Sequence, residues 1–359
     1  MDGNKEVLAK LGLTNIEGYL YTKSLGGGSA LSSLYSNGEK RVVFKFLIAP
    51  RNTVEVERFK LECSVLEKNR ANWFYGAEGD QSHFVFYGPK ESYPLPRLAF
   101  PLNEKLNGRI YFFGYDYEEG TLLSDLDYES YDFQEKVELL YRIASGLSYF
   151  NQTGYSHRDL HPENILLLDN PSMSRSERDA HKNNPKVRFL DMGNCQKTER
   201  ECRELAVISR DLDEDCVFDD NNKRVLSSFV SMPPDFLEKG ELTKNYDSWA
   251  FGIFMYRLFF GDLPFDITDI SGITSLRAKG TASEVEYKKN LQTLDLGPRM
   301  ILNHLLSPDG DKRPSTDSIV RLLSWIVHRN HEFKDRDFIS KVIHSDGFDP
   351  YYDPVDDYY

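Results

Sequence analysis

The spacing of hydrophobic and polar positions changes part-way along the chain. Residues 17–48 alternate glycine-rich turns with β-prone runs, and both Tyr19-Leu20-Tyr21-Thr22 and Arg41-Val42-Val43-Phe44-Lys45-Phe46-Leu47 predict strands. In residues 54–68 the apolar positions Val56, Phe59, Val65 and Leu66 fall among charged residues, the pattern of an amphipathic helix. Residues 72–117 are aromatic, proline-broken and β-like, with a strand candidate at Arg109-Ile110-Tyr111-Phe112-Phe113. Beyond them the period becomes helical. Residues 133–149 read as one long helix, 246–260 as a strongly apolar and therefore buried one, and 294–306 and 315–328 as two more. Strands first and helices second predict a two-part α+β chain. Two stretches interrupt this pattern. Residues 169–186 have the Ser-, Asn- and Arg-rich composition of a mobile loop, and residues 330–359 form an acidic, Tyr-rich, proline-interrupted tail expected outside the core.

Composition narrows the class. A chain of 359 residues, 40% hydrophobic and 28% charged, has ample material for one large or two ordinary domains of a soluble protein. The net charge of −13 argues against nucleic acid or an anionic membrane as the main partner. It leaves room for a nucleotide, whose phosphates need only a few placed donors. The four cysteines form no C-x-x-C pair, so reduced thiols are expected. No basic region followed by an apolar core opens the sequence, and no run approaches the roughly 20 apolar residues of a membrane span. The expectation is a soluble, cytoplasmic protein, with secretion as an effector left open and oligomeric state undetermined.

The chemistry concentrates in His157-Arg158-Asp159-Leu160-His161-Pro162-Glu163-Asn164, which precedes the apolar run Ile165-Leu166-Leu167-Leu168. A carboxylate and a carboxamide five residues apart on a tight loop suit phosphoryl transfer: one holds the attacking hydroxyl, the other a metal ion on the phosphates. Downstream, Val187-Arg188-Phe189-Leu190-Asp191-Met192-Gly193 ends a strand in Asp-x-Gly and sets a second carboxylate at a turn. Lys45 is the one charge inside an apolar strand, and Glu62 follows 17 positions later on the amphipathic helix, where the two can pair. Glu57 and Glu67 are rivals, with Glu62 better placed by its flanking pattern. Upstream, Leu25-Gly26-Gly27-Gly28-Ser29-Ala30 is a turn whose glycines let backbone N–H groups approach phosphates; a plain hairpin is the competing reading.

Taken in order, these motifs resemble a protein kinase of the serine/threonine type, across roughly residues 17–328. Met232-Pro233-Pro234-Asp235-Phe236-Leu237 resembles the Ala-Pro-Glu segment, Tyr246-Asp247-Ser248-Trp249-Ala250-Phe251-Gly252 the start of the buried central helix, and Asp311-Lys312-Arg313-Pro314-Ser315 the late arginine motif. The resemblance implies a bilobal protein-kinase-like fold: a small β-rich N-lobe over residues 1–114, a larger helical C-lobe over 115–329, and the tail 330–359. It implies ATP and Mg as cofactors and proteins as substrates. Asp159 takes the part of the catalytic base, Asn164 and Asp191 the metal ligands, Lys45 and Glu62 the phosphate-anchoring pair, and Gly26, Gly27 and Gly28 the nucleotide turn. The adenine-holding hinge falls at Tyr115, Asp116 and Tyr117, with Gly114 as a small gatekeeper. The resemblance also implies an Asp235–Arg313 ion pair and a link from Asp247 to the catalytic-loop backbone.

The departures are specific. Leu31 replaces the third loop glycine and Ser33 the following valine, while Met192 stands for the phenylalanine of the metal-binding triplet. His161 occupies the place of the lysine that contacts the γ-phosphate in serine/threonine kinases, and His is mostly neutral at pH 7. Arg158 suggests regulation by phosphorylation of the following segment, with Thr198, Ser209, Ser227 and Ser228 as candidates. Autophosphorylation belongs to the same expectation. A small-molecule phosphotransferase like the aminoglycoside and choline kinases, suggested by Asp-Leu-His-Pro, and a nucleotide-binding pseudokinase scaffold remain alternatives.

Overall fold

The computed structural model describes residues 3–27, 30–70, 94–168, 186–197, 231–239, 245–264, 282–328 and, further on, 339, 340 and 342. Gly28, the candidate phosphosites Thr198, Ser209, Ser227 and Ser228, nearly all of the 169–186 insertion and most of the tail lie outside the described residues. The chain divides into two compact units, one from within 1–126 and 152–197, the other from within 127–151 and 198–359.

The first unit is built on an antiparallel six-stranded sheet. Its strands are β1 (Asn15–Ile16), β2 (Tyr19–Gly27), β3 (Leu31–Ser36), β4 (Arg41–Ile48), β5 (Leu98–Lys105) and β6 (Ile110–Asp116), in the order β1-β2-β3-β4-β6-β5. Strand alternation sorts β4 into two faces. Val42, Phe44 and Phe46 join Tyr35, Ile110 and Phe112 in one core, which the N-terminal helix α1 (Gly3–Lys10) and the chain after it close with Leu8, Leu13 and Ile16. Val43, Lys45 and Leu47 occupy the other face. Helix α2 (Thr53–Arg70) starts at Asn52, whose Oδ1 accepts the Glu55 N–H at 3.0 Å. It buries Phe59, Glu62, Cys63 and Leu66, one stripe at helical spacing, and the Phe59 ring lies 4.9 Å from that of Phe113 on β6. The short strands β7 (Thr121–Leu122), β8 (Tyr155–Ser156), β9 (Ile165–Leu167), β10 (Val187–Phe189) and β11 (Gln196–Lys197) complete this unit as a β10-β9-β7 sheet and a β11-β8 pair.

The second unit is helical. Its members are α3 (Phe133–Gln152, its last residue apart), α4 (Pro234–Lys239), α5 (Tyr246–Phe260), α6 (Ala282–Thr293), α7 (Leu296–Leu305) and α8 (Thr316–His328). A reciprocal capping box opens α3: Asp132 Oδ1 accepts the Glu135 N–H at 2.8 Å and Glu135 Oε2 the Asp132 N–H at 3.0 Å. Helix α5 buries most of its residues, as its largely apolar sequence requires, and packs on α7. The buried Asp235 of α4 receives two bonds from Arg313 Nη2, at 2.7 and 2.9 Å. Asn245 donates to Arg313 O and Ser248 to Pro314 O, both at 2.8 Å, fixing the start of α5 to the chain before α8. Asp247 accepts from Asn151 at 2.8 Å. No helix among the described residues is long and apolar enough to cross a membrane.

Candidate active site

Every described residue singled out for chemistry lies in the first unit. Lys45 is carried by β4, paired through Ser32 on one side and Phe113 on the other, which leaves only its long side chain free to choose partners. Its Nζ lies 2.6 Å from Glu62 Oε2 and 3.1 Å from Asp191 Oδ1. Glu62 reaches it because it follows the anchoring Phe59 by three residues on the buried stripe of α2, whereas Glu57 and Glu67 are exposed.

Burial disfavours charge on all three groups, but not with the same outcome. Desolvation pushes the Glu62 carboxyl up to about 7 against the pull of Lys45. For Lys45 desolvation is outweighed by Glu62 and Asp191, which raise its pKa and keep it an ammonium. Asp191 is buried in part yet held below the ordinary carboxylate range by Lys45, and half of its side chain (50%) stays open to solvent. The cluster is thus a fixed cation with one outward carboxylate.

Asp191 follows β10 at φ 59°, ψ 70°, and Arg158 has φ 66°. Left-handed backbone at two non-glycine residues is costly and is held here by the bonds around it. His157 supplies several: its Nδ1 accepts the Asp159 N–H at 3.3 Å, so its Nε2 carries the proton and donates to Leu190 O at 3.1 Å. Leu190 N–H donates in turn to Asn164 O at 2.8 Å. The buried histidine ties the Asp159 loop to the residue before Asp191.

Asn164 has both amide hydrogens engaged, one on Asp159 O at 3.0 Å and one on His161 Nε2 at 2.9 Å. Its Oδ1 is left as the acceptor, and the imidazole proton of His161 must sit on Nδ1. His161, expected to meet a γ-phosphate, spends its Nε2 on this amide and lies 3.7 Å from Asp159 Oδ1. The other Asp159 oxygen, Oδ2, accepts from Asn194 at 3.1 Å. Among the described residues no cluster of three His, Cys, Asp or Glu could cage a metal ion. One carboxylate and one amide oxygen suit magnesium, which keeps water and phosphate oxygens in most of its shell.

Strand pairing fixes which way a side chain points, and it corrects the gatekeeper expectation. Gly114 pairs with Phe44, and a Cβ there would meet the Phe44 ring at 2.9 Å, so it faces the α1-covered core and cannot gate a pocket beside Lys45. Tyr115 pairs with Val43 and takes the Lys45 face; burial raises its phenol well above the ordinary value, with Lys45, Glu62 and Asp191 as electrostatic neighbours. At the expected hinge two backbone donors are already engaged. The Asp116 N–H donates to Arg97 O at 2.9 Å and the Tyr117 N–H to Arg41 O at 3.0 Å, so neither is available to adenine. Finally, Ser33 pairs with Phe44 and buries its hydroxyl without a hydrogen-bond partner, while Leu34, opposite Val43, is the residue on the Lys45 side. Gly26 and Gly27 end β2; at Gly26 a register shift and φ of +97° require glycine, and its N–H meets Ser24 Oγ at 3.3 Å. Asn4 of α1 donates to the same hydroxyl at 2.6 Å.

Two partnerships escaped the sequence reading. Arg188 on β10, 1% exposed, forks onto Glu118 just past β6 with Nε and Nη2 both 2.6 Å from its oxygens. Its alternation with Val187 and Phe189 was the only signal: an arginine inside an apolar strand needs a carboxylate. Asn194 was visible only as the third residue after Asp191.

A sequence model described as "Protein kinase domain" matches residues 107–326, more than half of the chain. A calcium/calmodulin-dependent serine/threonine-protein kinase from Malus domestica is 26% identical over 199 residues, 55% of this chain and 40% of that protein. A serine/threonine-protein kinase, PKZ1, from Phytophthora infestans is 25% identical over 148 residues, 40% of this chain and 32% of that protein. An Arabidopsis thaliana protein kinase and PP2C-like domain-containing protein is 24% identical over 242 residues, 60% and 33% of the two chains. The matches thus span at most two fifths of the length of these relatives.

Proposed function

The chain belongs to the protein kinase domain family, and on that premise we propose that it transfers the γ-phosphoryl group of ATP, with magnesium, to Ser or Thr hydroxyls of proteins, its own chain included. The observation that carries this reading is the placement of Lys45 Nζ between Glu62 and Asp191, beside a loop bearing Asp159 and Asn164. Glu62 holds the ammonium where it can anchor the α- and β-phosphates. Asp191 and the Oδ1 of Asn164 are the residues that would hold magnesium, whose chemistry is to neutralise charge on the phosphate oxygens. Adenine would find its backbone N–H donor from Glu118 onward, since those of Asp116 and Tyr117 are already engaged. In the transfer, the substrate oxygen forms a bond to the γ-phosphorus, the bond to the β-phosphate bridging oxygen breaks, ADP leaves, and Asp159 takes the hydroxyl proton.

Label transfer from γ-labelled ATP tests this directly. The purified protein with magnesium and a generic protein substrate is expected to label the substrate on Ser or Thr, and Asp159→Ala to lose at least about a hundredfold of the rate. Nucleotide binding without transfer would favour the scaffold reading. ATP consumption only on addition of an aminoglycoside or choline would favour the small-molecule one.

A further inference from the structure

We infer that Asn194 is a positioning residue for the base: its amide fixes the Asp159 carboxylate so that one oxygen is held and the other is presented to the incoming hydroxyl. The inference rests on the kinase reading above. The backbone of Asp159 is pinned twice, through its N–H on His157 and its carbonyl on Asn164. Its side chain is held differently. The described contacts of Asp159 Oδ2 consist of the Asn194 amide at 3.1 Å, and Oδ1 lies 3.7 Å from His161 Nε2, beyond hydrogen-bond reach. Rotation about the terminal torsion of an aspartate is soft, so one directed donor decides which oxygen faces outward.

The orientation of the Asn194 amide is fixed by chemistry. Reversed, it would set its own carbonyl oxygen 3.1 Å from a carboxylate oxygen, two acceptors with no proton between them. Asn194 is therefore a donor here.

Its place in the fold gives this bond a second consequence. Asn194 ends the 3-10 turn Met192–Asn194 that begins directly after Asp191, and that turn packs on α2, with a Met192 backbone hydrogen bond to Glu62. One turn of three residues therefore positions the outward carboxylate at its start and the base at its end. Displacing the turn releases both, so the base is oriented only while the Lys45–Glu62–Asp191 cluster is assembled.

The experiment compares wild type, Asn194→Ala and Asn194→Asp, alone and with Asp159→Asn, in steady-state label transfer, alongside melting temperatures. Asn194→Ala is expected to lower kcat about tenfold, the worth of one hydrogen bond to a charged group, with KM for ATP within about twofold of wild type. Asn194→Asp should fall further, because two carboxylates then face each other. Adding Asn194→Ala to Asp159→Asn should cost nothing more. Unchanged kcat in Asn194→Ala overturns the inference, and so does a loss that appears equally in KM and melting temperature, the mark of a purely structural role. If wild type itself transfers no label, the kinase reading falls, and a crystal structure of Asn194→Ala decides this point alone: several Asp159 carboxylate rotamers support it, a single unchanged one overturns it.

Discussion

At the scale of single residues, the Lys45–Glu62 pair is better understood as geometry than as stabilisation. Two buried charges recover their lost hydration only in part from each other, and here burial outweighs the lysine enough to lift Glu62 to about 7. The sign of the consequence follows from linkage. A carboxyl whose pKa is raised on folding contributes stability that is full below its ordinary value near 4.5 and is lost as the pH rises through about 7. Asp191, held low by Lys45 against its own burial, works in the opposite sense, its contribution fading only in acid. Because Asp191 titrates with or without Glu62, comparing wild type with Glu62→Gln isolates Glu62. The melting-temperature difference between them should move against wild type from pH about 4.5 to 7 and level off above. A difference independent of pH would show that Glu62 keeps an ordinary pKa. The identity of this pair was legible in the sequence, since one lysine in an apolar strand and one glutamate three residues beyond a helix anchor leave few geometries. Asn194 was not, because an asparagine after Asp-x-Gly has no periodicity to reveal its partner.

At the scale of elements, the strands themselves were legible and their faces were not. The run of residues 41–47 read as a strand and became β4, and residues 246–260 became α5 with the same bounds. The resemblance nevertheless made Gly114 the gatekeeper, a place beside the nucleotide that its pairing with Phe44 does not give it. A one-residue offset turns a side chain to the opposite face, and only the pairing of β4 with β3 and β6 reveals it. Helix α1 went unread because Leu8 and Leu13 gain meaning only from the aromatic face they cover. The Glu118–Arg188 fork is another relation between elements, joining the segment after β6 to the strand that leads to Asp191. Glu118→Ala leaves Arg188 buried without its carboxylate and should cost about 3 kcal/mol in denaturant unfolding, while Glu118→Leu with Arg188→Met should recover most of it. Equal losses in the single and double variants would mean that the pair itself, rather than the cost of stripping a buried arginine of this carboxylate, holds the segment.

At the scale of the whole molecule, the described chemistry and the described helical architecture fall in different compact units, each with its own core. An aromatic cluster fills the sheet core of the first, and in the second Arg313 is 2% exposed and bonded to Asp235, to Ser307 O and to Asn245 through its own carbonyl. Removing the carboxylate strips a buried guanidinium of the group that accepts two of its hydrogen bonds, a change worth about 3–5 kcal/mol. Such a loss lowers the cost of opening locally before it reaches the rest of the chain, because protection in native proteins follows cooperative units. Asp235→Ala should therefore lose hydrogen-exchange protection first in α5, α7 and α8, with the β3, β4 and β6 amides retaining wild-type protection. Replacing Arg313 by Met in the same variant should restore much of it, since the buried guanidinium is then gone as well. Equal loss in the sheet and the helices would show that the two cores open as one cooperative unit.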